Sequence, residues 1–299
     1  MNTEKFIEDD LIDFKKFFNF LWSYKSLIAK TSSFFVLFSV IIAFSIPNKY
    51  TSFSLLMPSS IDDSLSSRLA QYSQLIAVSP IELGSGNATK ADEAIARIQS
   101  FEFFKKYFLP NIKLENLIAV KKWDSNLKII EYKSGIYDKD NNLFLDEIPS
   151  DQQAFEIFKD IFFVSKERKT SFVTINVTHH SPVIAKNWLD IIIYNINESM
   201  RLEEIALTQS YIDFLNNSQK STNIQSIKDV ISTLLEDQMQ ELMLASANPY
   251  YVFKVIDSPI IPEKKSGPSR LLICILITFI GTFFTIIYLV IFGKKKLLK

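Results

Sequence analysis

The chain has 299 residues, 33 of them basic and 33 acidic, so its formal net charge is zero. A chain without excess positive charge has no electrostatic attraction for a nucleic acid, and we expect no nucleic-acid partner. The only cysteine is Cys274, which excludes a disulfide within one chain.

The chain opens with a leader, residues 1–26, that precedes an apolar span at residues 27–46. Leu11, Phe14 and Phe18 recur in the leader at helical spacing, which predicts an interfacial helix feeding the span. A cleaved signal peptide is the alternative for the span. We favour a membrane anchor, because the leader before it has mixed charge and the span ends at Pro47 without a small-residue cleavage site.

A second apolar span covers residues 271–292 and contains no charged residue. At about 1.5 Å per residue it reaches roughly 33 Å, enough to cross a hydrocarbon core of about 30 Å. Lysines flank both spans, in the leader and in the basic tail, residues 293–299. Short basic flanks favour the cytoplasm, so we expect both termini there and residues 47–270 outside the inner membrane.

The first part of the segment between the spans alternates predicted strands and helices. A strand is predicted at KYTSFSLLM, with Tyr50, Phe53 and Leu55, and a helix at Ser64–Val78. The stretch GSGNATK is expected to be a flexible connection. A helical ADEAIARI and an aromatic SFEFFKKYFL follow, the latter ending at Pro110.

The middle of the segment predicts more strands. Between Trp123 and Phe144, turn signals at Ser134–Gly135 and DKDNN indicate a hairpin or meander. A helix is predicted at Ser150–Val164, followed by an alternating strand in TSFVTINVTHH. Strands with helices between them indicate an α+β domain.

Ser181 and Pro182 predict the start of a helix of about 35 residues, with the serine side chain as its cap. A second helix is predicted at Thr222–Ala247, and the two should form an antiparallel hairpin that points away from the membrane. The first helix carries an apolar stripe that one chain is not expected to cover, which predicts a ring-shaped homo-oligomer. The stripe comprises Leu189, Ile193, Ile196, Met200, Leu207, Tyr211 and Phe214.

The sequence offers no catalytic constellation, and we predict no catalytic residue, no cofactor and no metal site. His179 and His180 are neighbours at the end of a predicted strand and therefore point to opposite faces, a poor arrangement for one metal. We interpret them as ordinary surface or turn histidines. Carboxylate doublets such as Glu203–Glu204 are interpreted as solvated helix faces, and no glycine-rich phosphate loop is present.

Small residues in the second span, Gly281 and Thr285, lie four positions apart on one helix face. This spacing predicts close packing with another membrane helix. A proline-rich entry, with Pro259, Pro262 and Pro268, leads into the span from a predicted strand at YYVFKVID.

This arrangement resembles the Wzz family of polysaccharide chain-length determinants. The resemblance lies in DLIDFKKFFNFLWSYKSLI before the first span, KYTS after it, SPVIAKNWLDIIIYNI, and the proline-rich ending before the last span. It implies a non-enzymatic co-polymerase of the bacterial inner membrane. Such proteins form rings and set how many repeat units a polymerase adds to a lipid-linked O-antigen or related glycan.

Two other functions stay open at this point. One is the membrane component of a capsule or exopolysaccharide system whose tyrosine kinase is a separate chain. The other is a two-span sensor with an extracytoplasmic ligand domain. The seven residues after Phe292 are too few for an output module, so the sensor is the less favoured of the two.

Overall fold

The computed structural model describes residues 21–59, 89–145 and 147–292. The chain divides into two compact units, Lys49–Lys265 and the pair of segments Met1–Asn48 and Ser266–Lys299. The predicted leader helix up to residue 20, the helix at Ser64–Val78, the GSGNATK connection and the basic tail all lie outside the described residues.

The described elements alternate strands and helices, which confirms the α+β class. The strands are β1 (Tyr50–Pro58), β2 (Val120–Asp124), β3 (Ile129–Tyr132), β4 (Tyr137–Asp138), β5 (Leu143–Phe144), β6 (Phe162–Lys166), β7 (Val173–His179) and β8 (Phe253–Asp257). The helices are α1 (Lys25–Ser45), α2 (Lys90–Ile98), α3 (Phe101–Phe103), α4 (Leu114–Ile118), α5 (Asp151–Ile161), α6 (Pro182–Ser221), α7 (Gln225–Ala247) and α8 (Arg270–Phe292).

The larger unit is built on a four-stranded antiparallel sheet in the order β6-β7-β1-β8. Strand β7 buries Val173, Ile175 and Val177 in strict alternation, as its sequence predicts. Strand β1 lies beside it, with Tyr50 opposite His179 and Leu56 opposite Val173.

The predicted strand is confirmed as β1, and its buried face carries two serines. Phe53 is 44% exposed, whereas Ser52 and Ser54 are buried with Leu56. The hydroxyls of the two serines donate to the carbonyls of Ile260 and Asp257, at 2.8 and 2.6 Å. The two serines face inward because their hydroxyls bind the end of β8 and the segment that follows it. Hydrophobicity alone does not predict such hydrogen bonds.

An aromatic cluster fills the core on the helical side. Helix α3 continues as a π-helical turn, Phe104–Phe108, and then a 3₁₀ turn, Leu109–Asn111. Phe104 and Phe108 are fully buried and contact the ring of Phe158 at centroid distances of 5.2 and 4.7 Å. The aromatic segment SFEFFKKYFL is thus part of the core.

The meander predicted between Trp123 and Phe144 is confirmed as two hairpins, β2–β3 and β4–β5. The carboxylate of Asp138 accepts hydrogen bonds from the backbone N–H groups of Asp140 and Asn141, at 2.9 and 3.3 Å. This side chain closes the DKDNN turn, where Asn142 adopts a positive φ of 53°.

Helix α5 starts as predicted, with a capping box between Ser150 and Gln153, but it ends at Ile161 rather than at Val164. The difference arises because Phe162 turns into an extended conformation and begins β6. The sequence did not predict strand β6. This strand pairs with β7, and Phe162 lies opposite Val177.

Helices α6 and α7 form the predicted antiparallel hairpin. Helix α6 has 40 residues, about 60 Å of helix. The side-chain amide of Gln219 donates to the hydroxyl of Ser232 at 2.9 Å near the turn of the hairpin. Ser181 is the N-cap residue and Pro182 follows it, but the predicted side-chain cap is wrong, because the buried Ser181 hydroxyl makes no hydrogen bond.

Candidate interaction surfaces

Helices α1 and α8 are each long and apolar enough to cross a membrane. They pack side by side in the smaller unit, where Gly281 lies against the ring of Phe35. A Cβ atom at Gly281 would meet ring carbons at 2.3–2.5 Å. Ser32 and Thr282 share a hydrogen bond of 2.7 Å across the same contact. Gly281 therefore lies close to a helix of the same chain, and its packing with a membrane helix of another molecule stays a prediction.

Thr285, the other small residue of the predicted pair, turns its hydroxyl to its own helix and donates to the carbonyl of Gly281 at 2.9 Å. At the start of α8, the guanidinium of Arg270 donates to the side-chain oxygen of Asn48 at 3.1 Å. The same guanidinium lies 4.6 Å from the centre of the Phe44 ring. Arg270 thus holds the end of α1 and the beginning of α8 together.

The prolines before α8 occupy different environments. Pro259 is buried, whereas Pro262 and Pro268 are half-buried. Their predicted role as a membrane-entry motif stays a prediction.

The apolar stripe of α6 divides into two parts. Leu189, Ile193, Ile196 and Met200 are buried in the core of the larger unit. Leu207 and Tyr211 are 46% and 50% exposed. Only the distal part of the predicted stripe is therefore available to another molecule. Towards α7, helix α6 turns a different face that buries Thr208 and Ile212.

Exposed apolar side chains continue across both helices of the hairpin. We call them the hairpin apolar surface: Leu207, Tyr211, Phe214, Ile224, Ile227, Val230, Leu234, Met239, Met243 and Leu244. Exposed apolar residues in such number are typical of a surface that binds another protein or a membrane.

Glu203 interrupts the stripe, and the structure gives the reason. Its carboxylate forms a two-point ion pair with the guanidinium of Arg97 from α2, and Arg97 also binds Glu93 at 2.6 Å. The hydrogen bond from Arg97 holds the pKa of Glu203 below its usual value. Glu203 is therefore a structural partner and not only a solvated charge.

Glu204, the next residue, belongs to a second charged cluster. The ammonium of Lys90 lies 3.5 Å from Glu204 and 3.7 Å from Glu241 of α7. It also donates a short hydrogen bond to the hydroxyl of Tyr251, whose pKa is raised by burial. The cluster joins α2, both helices of the hairpin and the segment before β8.

His179 is buried, so its interpretation as a surface or turn histidine is wrong. Its Nε2 lies 2.8 Å from the carbonyl of Asn116, and its Nδ1 accepts from the Ser181 N–H at 2.9 Å. These contacts fit a neutral ring protonated at Nε2. Burial lowers the pKa of His179 to about 4. Among the described residues, no group of three or more His, Cys, Asp or Glu is placed to hold a metal ion.

A family model matches part of this chain. Residues 10–110 match the Wzz family model, described as chain length determinant protein. The resemblance to the Wzz family is confirmed. The match covers α1, β1, α2 and the aromatic segment, whereas the proline-rich entry to α8 lies outside it. No curated protein matches the chain in sequence.

Two solved structures align with most of this chain, but at low sequence identity and low TM-score. A "full-length bacterial polysaccharide co-polymerase" is 11% identical, with 96% of this chain and 98% of that chain covered and a TM-score of 0.40. A "Fragment of WzzB, Polysaccharide Co-polymerase from Salmonella Typhimurium" is 14% identical, with 74% and 100% covered and a TM-score of 0.29.

Proposed function

We propose that this protein is a non-enzymatic regulator of the chain length of a lipid-linked surface polysaccharide, an O-antigen or a related glycan. The observation that carries the proposal is the match of residues 10–110 to the chain length determinant family. The fold supports it, since an α+β unit stands in sequence between two apolar helices.

The protein acts in the bacterial inner membrane as a two-span protein with residues 47–270 in the periplasm. Lysines beside both spans support cytoplasmic termini. Reporter fusions placed after residue 46 and after residue 299 should report opposite sides of the membrane. Identical reports would overturn this topology.

The protein works as a homo-oligomer, a ring, beside a polysaccharide polymerase. The hairpin apolar surface supports this step, because its exposed side chains favour contact with a neighbouring copy. A closed ring of identical copies also repeats one surface around a growing glycan, so each subunit offers it the same contacts.

Deletion of the gene, followed by gel separation of the cell's lipopolysaccharide, tests the proposed function. We expect the modal length distribution to disappear and to return when the wild-type gene is supplied in trans. A ladder that is unchanged by the deletion would contradict the proposal, as would loss of a capsule with an intact ladder.

A further inference from the structure

A groove of about 370 Å³ lies between α6 and the chain around β8. We call it the tyrosine groove, after Tyr194 of α6 and Tyr250 of the connection from α7 to β8. Its other polar lining includes Asp190 and Glu198, also from α6. Its volume lies within the range of about 300–1,000 Å³ that is usual for ligand sites.

The floor of the groove is fixed by buried side chains. Ile193 and Asn197 are 6% and 3% exposed. The oxygen of the Asn197 side chain accepts from the N–H groups of Val252 and Phe253, and its nitrogen donates to the carbonyl of Ile193. The floor therefore does not have to rearrange when a ligand binds.

Two exposed tyrosine rings lie at the rim of the groove. Tyr194 is 68% exposed and Tyr250 is 49% exposed. Within the described part of the chain, neither phenol hydroxyl makes a hydrogen bond and neither ring stacks on another. Such rings offer a flat apolar face and a polar tip at once, and a ligand that has both kinds of surface can use both.

The charges of the groove favour an uncharged ligand that donates hydrogen bonds. Its charged lining is acidic, and none of its described lining residues is Lys, Arg or His. Asp190 pairs with Lys186 at 2.5 Å and Glu198 pairs with Arg201 at 2.8 Å, so both carboxylates are held in place on the helix. Lys186 and Arg201 are not lining residues themselves, so the groove offers hydrogen-bond acceptors but no cation to an anionic group.

A sugar chain combines the properties that this lining selects. The face of a sugar ring that carries C–H groups packs on an aromatic ring, and its hydroxyl groups donate to carboxylates. A second groove, of about 820 Å³, also has Glu198 in its lining, together with Leu202 and Glu203 of α6 and the basic residues Arg97 and Lys106. Glu198 lines both grooves, so a sugar chain bound in the first groove could extend past Glu198 towards the second.

We infer that the tyrosine groove binds an uncharged stretch of polysaccharide, with Tyr194 and Tyr250 stacking on sugar rings and Asp190 and Glu198 accepting from hydroxyl groups. This inference rests on the proposed function, which supplies the glycan. It adds the place where the glycan touches the protein.

The test titrates polysaccharide, released by mild acid from the lipopolysaccharide of cells that carry the gene, into the full-length protein in detergent. Calorimetry or ligand-observed NMR measures the affinity. Tyr194→Ala and Tyr250→Ala should each weaken binding about tenfold. Tyr194→Phe keeps the ring and should bind nearly as well as the wild type. Phe163→Ala is the matched control, because Phe163 is a 62% exposed aromatic residue of β6 outside the groove.

Circular dichroism and native mass measurement accompany the titration, so that a folding or assembly defect is recognised. Equal affinity in all variants, or no binding by the wild type, would overturn the inference. A change of oligomeric state in Tyr194→Ala with unaltered polysaccharide affinity would overturn it too, because the face would then contact a second copy. A different result, an unchanged lipopolysaccharide ladder in the deletion strain, would contradict the proposed function.

Discussion

Asn197 and Phe253 are joined by a buried hydrogen bond of 2.9 Å from the Phe253 N–H to the Asn197 side-chain oxygen. The same oxygen accepts from Val252 at 2.9 Å. One side chain of α6 thus satisfies two backbone donors where the last strand of the sheet begins. Without it, both donors would be buried and unpaired.

Replacement of this residue is expected to be costly. Asn197→Ala should lower the free energy of unfolding by roughly 2–5 kcal/mol, because each unsatisfied buried donor costs about 1–3 kcal/mol. Urea unfolding followed by circular dichroism measures the change. Asn195→Ala is the control, since Asn195 is only half-buried and donates to two carbonyls instead. An Asn197→Ala protein as stable as the wild type would show that water replaces the amide.

Gly281 should tolerate no side chain while Phe35 faces it. Gly281→Ala places a methyl group at 2.3–2.5 Å from ring carbons, so α1 and α8 must separate. A disulfide between Ser32→Cys and Thr282→Cys, in a Cys274→Ser background, reports the contact that the 2.7 Å hydrogen bond marks. Its yield should fall in Gly281→Ala and recover when Phe35→Ala is added.

Gly135→Ala serves as the control for that experiment, because nothing lies within 4 Å of a Cβ atom there. An undiminished disulfide yield in Gly281→Ala would refute the packing of the two helices at this point.

Acidic substitutions on the hairpin apolar surface should weaken assembly and leave folding intact. Leu207→Glu and Tyr211→Glu put a carboxylate on half-exposed positions, so we expect a folded protein of smaller oligomeric mass. Ile196→Glu should instead fail to fold, because Ile196 is fully buried. Native mass measurement in detergent distinguishes these outcomes. Ser210→Glu, at an exposed polar position, should change neither property.

An unaltered mass in both Leu207→Glu and Tyr211→Glu would exclude this face as the contact between copies. The proposed ring would then have to form through another surface of the chain.

His179 should make stability sensitive to mild acid. Its pKa is lowered from 6.5 to about 4 by burial, so the folded state binds the proton less readily than the unfolded state. The unfolding free energy is therefore unaffected above pH 6.5 and falls as the pH drops towards 4. The full loss amounts to about 3 kcal/mol.

A His179→Gln variant should lose this dependence between pH 6.5 and about 4.5, since glutamine keeps a donor and an acceptor but does not titrate. His180→Gln, at the half-buried neighbour, should retain it. Urea unfolding across this pH range provides the measurement. Identical pH profiles for the wild type and His179→Gln would assign the acid sensitivity to other groups.

Helices and strands were predicted well where a hydrophobic pattern continued over many residues or where a turn signal was strong. The two apolar helices, the hairpin of α6 and α7, and β7 all follow from such patterns. The prediction failed where tertiary contacts override the local pattern. Phe162 follows a helical run, yet it pairs with Val177, and no periodicity within the run marks that change.

The candidate sites were predicted less well, for a related reason. The stripe of α6 is one pattern in the sequence, but Ile196 packs on the protein's own sheet and Tyr211 does not. Hydrophobic periodicity identifies the apolar face of a helix, but it does not identify the element or molecule that packs against that face. Likewise, nothing local distinguishes the buried Ser54 or His179 from exposed residues of the same type, because the carbonyls that they bind, those of Asp257 and Asn116, are distant in sequence.

The continuity of α6 has a mechanical consequence. Its first half is clamped in the core through Leu189, Ile192 and Ile196, and most of its second half is supported on one side by α7. The helix therefore acts as a cantilever whose free part, residues 201–221, is about 30 Å long. A sideways load near Phe214 exerts its greatest bending moment just beyond Met200, where the clamp ends. The Arg97–Glu203 ion pair braces the helix at that point.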